Sequence, residues 1–188
     1  MLPHVYACRR ALVLGDGNGR FLVELLAANP QLEVDALDIS TAMTELARRR
    51  IGNSPRVQFH IGDALHQPFS TASYDLVVTN FFLDCFEQAD LDVLLPRLAA
   101  SLVPRGVWIV GDFRLPNSSW SRFPARVALA TMYAAFGIVT RLPARRLVDP
   151  DSWMLKCGLK LGEEQTRLNG FLTARLWVKD PMQQPFLF

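Results

Sequence analysis

The 188 residues predict an α/β fold built on a doubly wound, mostly parallel sheet that ends in an antiparallel hairpin. Three observations lead there. Strand-like apolar runs alternate with segments of helical periodicity over residues 11–110. The first run, 11–14, opens directly into three glycines at alternate positions, Gly15, Gly17 and Gly19. Near the other end Asn169-Gly170 separates two strand-like runs, a strong hairpin signal. In open sheets of this kind ligands sit at the carboxyl ends of the strands, where the strand order reverses. Glycine is needed at such a turn because a Cβ would block the tight bend or a ligand lying on the backbone.

Each element has its own signal. After the glycines, Phe21, Leu22, Leu25 and Leu26 recur at helical spacing until Asn29-Pro30 stops the pattern. Residues 32–38 read as a second strand ending on the Asp38 carboxylate. Ser40 or Thr41 caps the next helix, whose Met43, Leu46 and Ala47 face inward and whose Arg48, Arg49 and Arg50 suit a helix C-terminus. Residues 56–61 form a third strand with Val57, Phe59 and Ile61 on one face, running into Gly62-Asp63-Ala64. The continuous apolar run at 74–79 fits a central parallel strand. Leu91, Leu94, Leu95, Leu98 and Leu102 line a helix, with Pro96 inside it as a flaw. Gly106 turns the chain into a fifth strand at 107–110.

Simple alternation stops there. Residues 118–140 are a long apolar helical stretch with Trp120, Phe123, Val127, Met132, Tyr133 and Phe136 roughly on one side. A loop at 143–146 and a short helix from Asp149-Pro150-Asp151 to Cys157-Gly158 lead into the hairpin strands, 159–166 and 171–179. The hairpin places the last strand beside the fifth.

Composition narrows the function classes. Twenty basic residues against 18 acidic leave a net charge of +2, too balanced for a nucleic-acid binder. Three scattered cysteines, Cys8, Cys85 and Cys157, fit reduced thiols in the cytoplasm rather than a disulfide scaffold. Residues 1–6 lack the order of a signal peptide. His4, His60 and His66 are read as clustering neither with one another nor with cysteines or carboxylates, so no metal site is expected. The uncharged run 127–140 is shorter than the roughly 17–25 residues a bilayer requires, so no stable membrane insertion is expected.

The order of motifs resembles the class I S-adenosylmethionine-dependent methyltransferases over residues 11–178. Five marks carry the resemblance: Gly15-x-Gly17-x-Gly19, Asp38 at the end of strand two, Gly62-Asp63-Ala64, Tyr74-Asp75-Leu76-Val77-Val78, and the turn 102–106. It implies one Rossmann-like domain over 1–188, of the seven-strand methyltransferase type. A helical lid follows strand five, at about 114–146, similar to that of quinone-biosynthesis C-methyltransferases. S-adenosyl-L-methionine is the implied cofactor and a small, apolar or aromatic molecule the implied acceptor.

Residue roles follow from the same resemblance. Gly15, Gly17 and Gly19 let the backbone lie close to the aminoacyl part. Asp38 accepts from both ribose hydroxyls, a charge-assisted contact, or caps the following helix. Asp63 accepts from the adenine amino group, or is turn chemistry, with Gly62 before it and Ala64 leaving room beside the ring. Ile39 and Met43 pack on the ring faces or belong to the core. Asn80 and Phe81 close the methionine end and face the acceptor. Where relatives carry an acid two positions before the first glycine this chain has Val13, with Asp16 inside the loop instead. Asp16 takes over the amino-group contact or faces solvent.

Methyl transfer needs alignment more than proton transfer: positioning is worth on the order of 7–11 kcal/mol, a general base typically ~10²–10⁴-fold. Asp112, at the end of strand five, and Tyr133, on the lid, are the candidates for a base, with Asp84 behind them. Ten residues before strand one leave the mouth of the site open, to be completed by the lid or by a second copy in a homodimer. Two other classes stay open. One is a nicotinamide-dependent oxidoreductase, disfavoured by Arg20 where G-x-G-x-x-G wants a small residue. The other is a non-catalytic binding or partner protein on the same fold.

Overall fold

In a computed structural model the described residues are 2–113, 150–167 and 172–181. A short helix α1 (Leu2–Tyr6) precedes β1 (Arg10–Leu14), α2 (Arg20–Ala28), β2 (Glu33–Asp38), α3 (Thr41–Ile51) and β3 (Val57–Ile61). Then come β4 (Tyr74–Asn80), a 3₁₀ turn (Leu83–Cys85), α4 (Gln88–Ser101) and β5 (Leu102–Phe113). The chain ends in α5 (Asp151–Lys156), β6 (Leu159–Arg167) and β7 (Leu172–Lys179). The expected helix at 118–140, the turn at Asn169-Gly170 and the segment 182–188 lie outside the described residues.

Seven strands form one sheet in the order β3-β2-β1-β4-β5-β7-β6. The first five are parallel; β7 runs antiparallel between β5 and β6. The order reverses between β1 and β4, so the crevice sits at the carboxyl ends of β1, β2 and β4. Each face has its own core. Ala11, Val13, Leu22, Leu25 and Ala36 pack on the face covered by α1 and α2. Leu12, Leu14, Leu94, Leu98, Trp108 and Met154 pack on the face covered by α4 and α5. Burying the sheet on both faces is why the centres of β1 and β4, 11–14 and 76–78, are apolar without a break.

Several expectations need correction. On α3, Leu46 is 46% exposed, and Thr44 with Ala47 forms the buried stripe. The Thr44 hydroxyl donates to the Ser40 carbonyl at 3.0 Å, which makes its burial tolerable. Leu102 leaves the helix and starts β5. Pro96 lies on the exposed side of α4 and ends nothing. The turn at 102–106 is a bulge within β5: Tyr74 opposes Leu102 while Leu76 opposes Val107, so 103–106 loops out, with Arg105 at φ 63°. Lys179, at the end of β7, turns its buried amine onto the carbonyls of Ala99 and Leu102 at 2.7 and 2.6 Å. It satisfies acceptors where α4 gives way to β5, and burial lowers its pKa.

Candidate functional site

Backbone hydrogen bonds draw the strand ends together beyond the strands themselves. Gly15 N–H donates to Leu37 O at 2.9 Å, Gly62 N–H to Asp38 O at 3.0 Å, and Phe81 N–H to Gly111 O at 2.6 Å. The residues after β1, β3 and β4 are thereby fixed against their neighbours, on one rim.

The three loop glycines have positive φ, yet each lacks a Cβ for a different reason. At Gly19 a Cβ would come within 2.9 Å of Ala47 Cα, so this glycine lets α2 approach α3. At Gly15 it would lie 2.5 Å from Phe82 Cδ2, so this one accommodates an aromatic ring from beyond β4. At Gly17 it would meet nothing within 4 Å. Among these three, Gly17 alone leaves its bare face open.

Carboxylates surround that face. Asp38 Oδ2 accepts from Gly17 N–H at 3.2 Å and Oδ1 from Ser40 N–H at 2.8 Å. It therefore holds the loop and the start of α3 at once, while Ser40 Oγ caps α3 by accepting from Met43 N–H at 3.3 Å. Two further lone pairs on the Asp38 oxygens remain for other donors. Asp16 accepts from Leu22 N–H at 3.2 Å and so caps α2 from inside the loop. It does not point to solvent. Burial, and then the nearby Asp38 charge, push its carboxyl up to about 6 against the lowering pull of the α2 amides and Arg50. Below the rim, Val13, Leu22, Ala36 and Ala47 line a small hollow with Asp16 and Asp38 at its edge.

Asp63 accepts from Leu65 N–H at 2.9 Å, closing the turn after β3, and pairs with His66 Nδ1 at 3.0 Å. The reading of isolated histidines is thereby overturned, because His60 Nε2 likewise meets Asp35 at 3.0 Å. Asp35 lies on β2, buried, and also accepts from Tyr74 OH at 2.9 Å and Arg10 Nη2 at 3.0 Å. The Asp35–His60 pair was not legible, since it depends on the register of β2 and β3; Asp63 and His66 are three positions apart in one turn, a spacing that was overlooked. Among the described residues no group of three or more metal-ligating side chains gathers.

The apolar candidates stand at the rim. Ile39 is 58% and Phe81 45% exposed, large areas for residues directly after buried strands, and Met43 is half-buried. Ala64 is buried beside Asp63. Asn80 Oδ1 lies so close to Gly111 that a Cβ there would sit 2.5 Å away, so this glycine gives the amide its place. Phe81 holds φ 52°, a left-handed backbone that is costly for an aromatic residue and marks the end of β4 as constrained. Asp112, half-buried near the end of β5, lies within electrostatic reach of the Cys85 thiol, which burial first, then Asp84, with Asp112 and Asp38 adding to it, push up to about 12. Tyr133 and the lid residues lie outside the described residues.

Phe82 was missed, and only its contact with Gly15 reveals it. In the run Phe81-Phe82-Leu83 nothing in composition says which residue turns to the loop.

The comparisons with known proteins agree with this geometry. Residues 11–106 match the methyltransferase domain family. A demethylmenaquinone methyltransferase of Deinococcus radiodurans is 30% identical over 183 residues, covering 92% of this chain and 75% of that protein. Two solved structures share the fold. An O-methyltransferase family protein from Burkholderia thailandensis has a TM-score of 0.73 at 20% identity, over 96% of this chain and 53% of that one. The S-adenosylmethionine-dependent methyltransferase SibL has a TM-score of 0.70 at 24% identity, over 95% and 52%. The chain thus spans about half the length of either structure. With seven strands in methyltransferase order and a domain match over half its length, the chain belongs to the class I S-adenosylmethionine-dependent methyltransferases.

Proposed function

We propose that this protein, as one domain over 1–188 with a lid at about 114–146, catalyses methyl transfer from S-adenosyl-L-methionine to a small apolar or aromatic acceptor by in-line displacement. The observation that carries the reading is the open face of Gly17, held by Asp38 and bordered by Asp16, because a bare backbone beside carboxylates suits a cationic ligand. S-adenosylmethionine supplies a methyl group already activated as an electrophile.

The chain's own part is binding, orientation and exclusion of water. Gly15, Gly17 and Gly19 shape the loop on which the aminoacyl part lies, with Asp16 beneath it. Asp38 keeps lone pairs for the ribose hydroxyls, and Asp63, after Gly62, for the adenine amino group. Ile39 and Met43 cover the base, and Ala64 leaves it room. Asn80 and Phe81 close the methionine end. Asp112 and the lid residue Tyr133 are assigned the role of receiving a proton when the acceptor carries one.

The relative from Deinococcus radiodurans acts on a demethylated menaquinone, so an aromatic ring of that class heads the acceptor panel. No helix among the described residues is long and apolar enough to cross a membrane. A cytoplasmic protein, acting alone or as a homodimer, fits this reading. The test has two stages. Adenosylmethionine and adenosylhomocysteine raise the melting temperature while NAD does not, and a methylated product then forms from one member of the panel. Stabilisation by NAD alone refutes the reading. Binding with no product from any acceptor turns it toward a non-catalytic role.

A further inference from the structure

We infer that Arg97, on α4, is a positioning residue for the adenine side: its guanidinium grips the turn after β3, holds Asp63 where the base amino group arrives, and so sets which purine the crevice accepts. The inference rests on the cofactor reading above and goes beyond it by tracing base selectivity to a side chain on another element.

The turn needs outside support. Among the described residues, 62–73 join β3 to β4 with no helix, whereas α2, α3 and α4 fill the other crossovers between parallel strands. Within the turn the amides close on Asp63. Leu65 N–H donates to its Oδ1 at 2.9 Å, and His66 and Gln67 N–H donate to its carbonyl at 3.0 and 2.9 Å. The carbonyls converge on Arg97 instead. Nη1 donates to Leu65 O at 2.6 Å and to Ala64 O at 3.4 Å, and Nη2 donates to Gln67 O. Its Cζ also lies 5.3 Å from the centre of the Phe69 ring, which packs against the core on the α4 face.

One half-buried cation thus caps a single turn of chain, as basic side chains cap the last carbonyls of a helix. Arginine suits the task. Its planar fork of donors reaches several carbonyls while one face lies on a ring, and an ammonium offers no such plane. The same helix takes the end of the crossover: Ala72 N–H donates to Ala100 O at 2.9 Å and Ser73 N–H to Ser101 O at 2.8 Å. At the near end, Gln67 lies against Gly62, where a Cβ would come 3.2 Å from its Oε1, and Gly62 N–H is fixed on Asp38 O at 3.0 Å. The grip of Arg97 therefore fixes Asp63 relative to Asp38. Hydrogen bonds weaken steeply when misaligned, so a released turn loses the base contact while contacts made from β1 and β2 persist.

The experiment is calorimetric titration of the full chain with S-adenosylhomocysteine and with S-inosylhomocysteine, which carries an oxygen where adenine has its amino group. The ligands share their ribose and amino-acid parts, so partial misfolding or a general loss of affinity cancels in the ratio of their affinities. Wild type prefers the adenosyl ligand at least about tenfold, as a hydrogen bond to a charged acceptor warrants. Arg97→Met lowers that ratio at least about threefold, within the coupling expected inside one hydrogen-bond network. Arg97→Lys, which keeps the charge without the fork, lowers it in the same direction. In Asp63→Ala the ratio is already low, and adding Arg97→Met changes it no further. An unchanged ratio in both Arg97 variants overturns the inference and leaves the cofactor reading standing. A further fall when Arg97→Met is added to Asp63→Ala also overturns it, because Arg97 then acts through another group. Equal binding of the two ligands by wild type removes the base contact of Asp63 and the inference with it. Failure of both to bind overturns the cofactor reading as well.

Discussion

Replacing Gly17 by alanine separates the roles of the glycine loop. The residue has φ 63°, so any side chain pays the left-handed penalty of roughly 1–2 kcal/mol. Nothing lies within 4 Å of the added methyl, so the folded protein loses little else. For a chain of this size that is a fall of about 2–8 °C in melting temperature. The methyl does, however, point into the space assigned to the cofactor. Overpacking there costs roughly 1–3 kcal/mol, about fivefold to 150-fold in Kd. Gly19→Ala carries the same backbone strain, and its methyl lies 2.9 Å from Ala47 Cα, so α2 and α3 must separate. It loses more stability than Gly17→Ala and less affinity per folded molecule. Differential scanning calorimetry gives the first quantity and titration with adenosylhomocysteine the second. If Gly17→Ala binds the ligand within twofold of wild type, the open face is not where the ligand lies.

Other expectations follow from single contacts. Asp38→Ala removes a charged acceptor and weakens adenosylhomocysteine binding by about 1.5–3 kcal/mol in calorimetry; unchanged affinity removes Asp38 from the site. Asp16 is raised in the folded state from 3.8 to about 6, so the native protein binds more protons than the unfolded chain between these values. Its stabilising contribution is complete below pH 3.8 and is lost as pH rises through 6. Asp16→Asn is thus more stable than ligand-free wild type at pH 8, by at most about 3 kcal/mol with the mouth open to water, and the gain fades toward pH 4 in urea melts. His66→Ala leaves Asp63 its bond to Leu65 N–H, so folding is unchanged within about 0.5 kcal/mol and adenosylhomocysteine affinity moves less than threefold. Tyr133→Ala lowers turnover of the methylated acceptor at least about tenfold while cofactor affinity holds, as loss of an acceptor-side group requires.

Strand and helix identities were legible because two-sided burial leaves a direct trace: 11–14 and 76–78 are apolar without interruption, and 159–179 carries a turn dipeptide between strand-like runs. The insertion of the last strand beside the fifth followed from that hairpin. Register was not legible. The four-residue bulge at 103–106 looks like an ordinary turn until Tyr74 and Leu76 are seen to oppose Leu102 and Val107. The same ignorance hid the Asp35–His60 pair, whose members are 25 positions apart and meet only across β2 and β3. At the candidate site, residue types at strand ends could be named, but not what each spends its bonds on. Asp16 could face ligand or solvent on paper; in the fold it caps a helix. Leu46 matched the helical period, yet Thr44, by returning its hydroxyl to the backbone, took the buried place.

The position of β7 has a consequence for how the chain is made. This strand, synthesised after the other six, is an interior member of the sheet, flanked by β5 and β6. Until residue 179 has left the ribosome, β5 presents a bare edge of unpaired amides and carbonyls next to Trp108 and Ile109. A nascent chain halted before that point exposes an aggregation-prone template, and holding it soluble falls to chaperones rather than to its own folding.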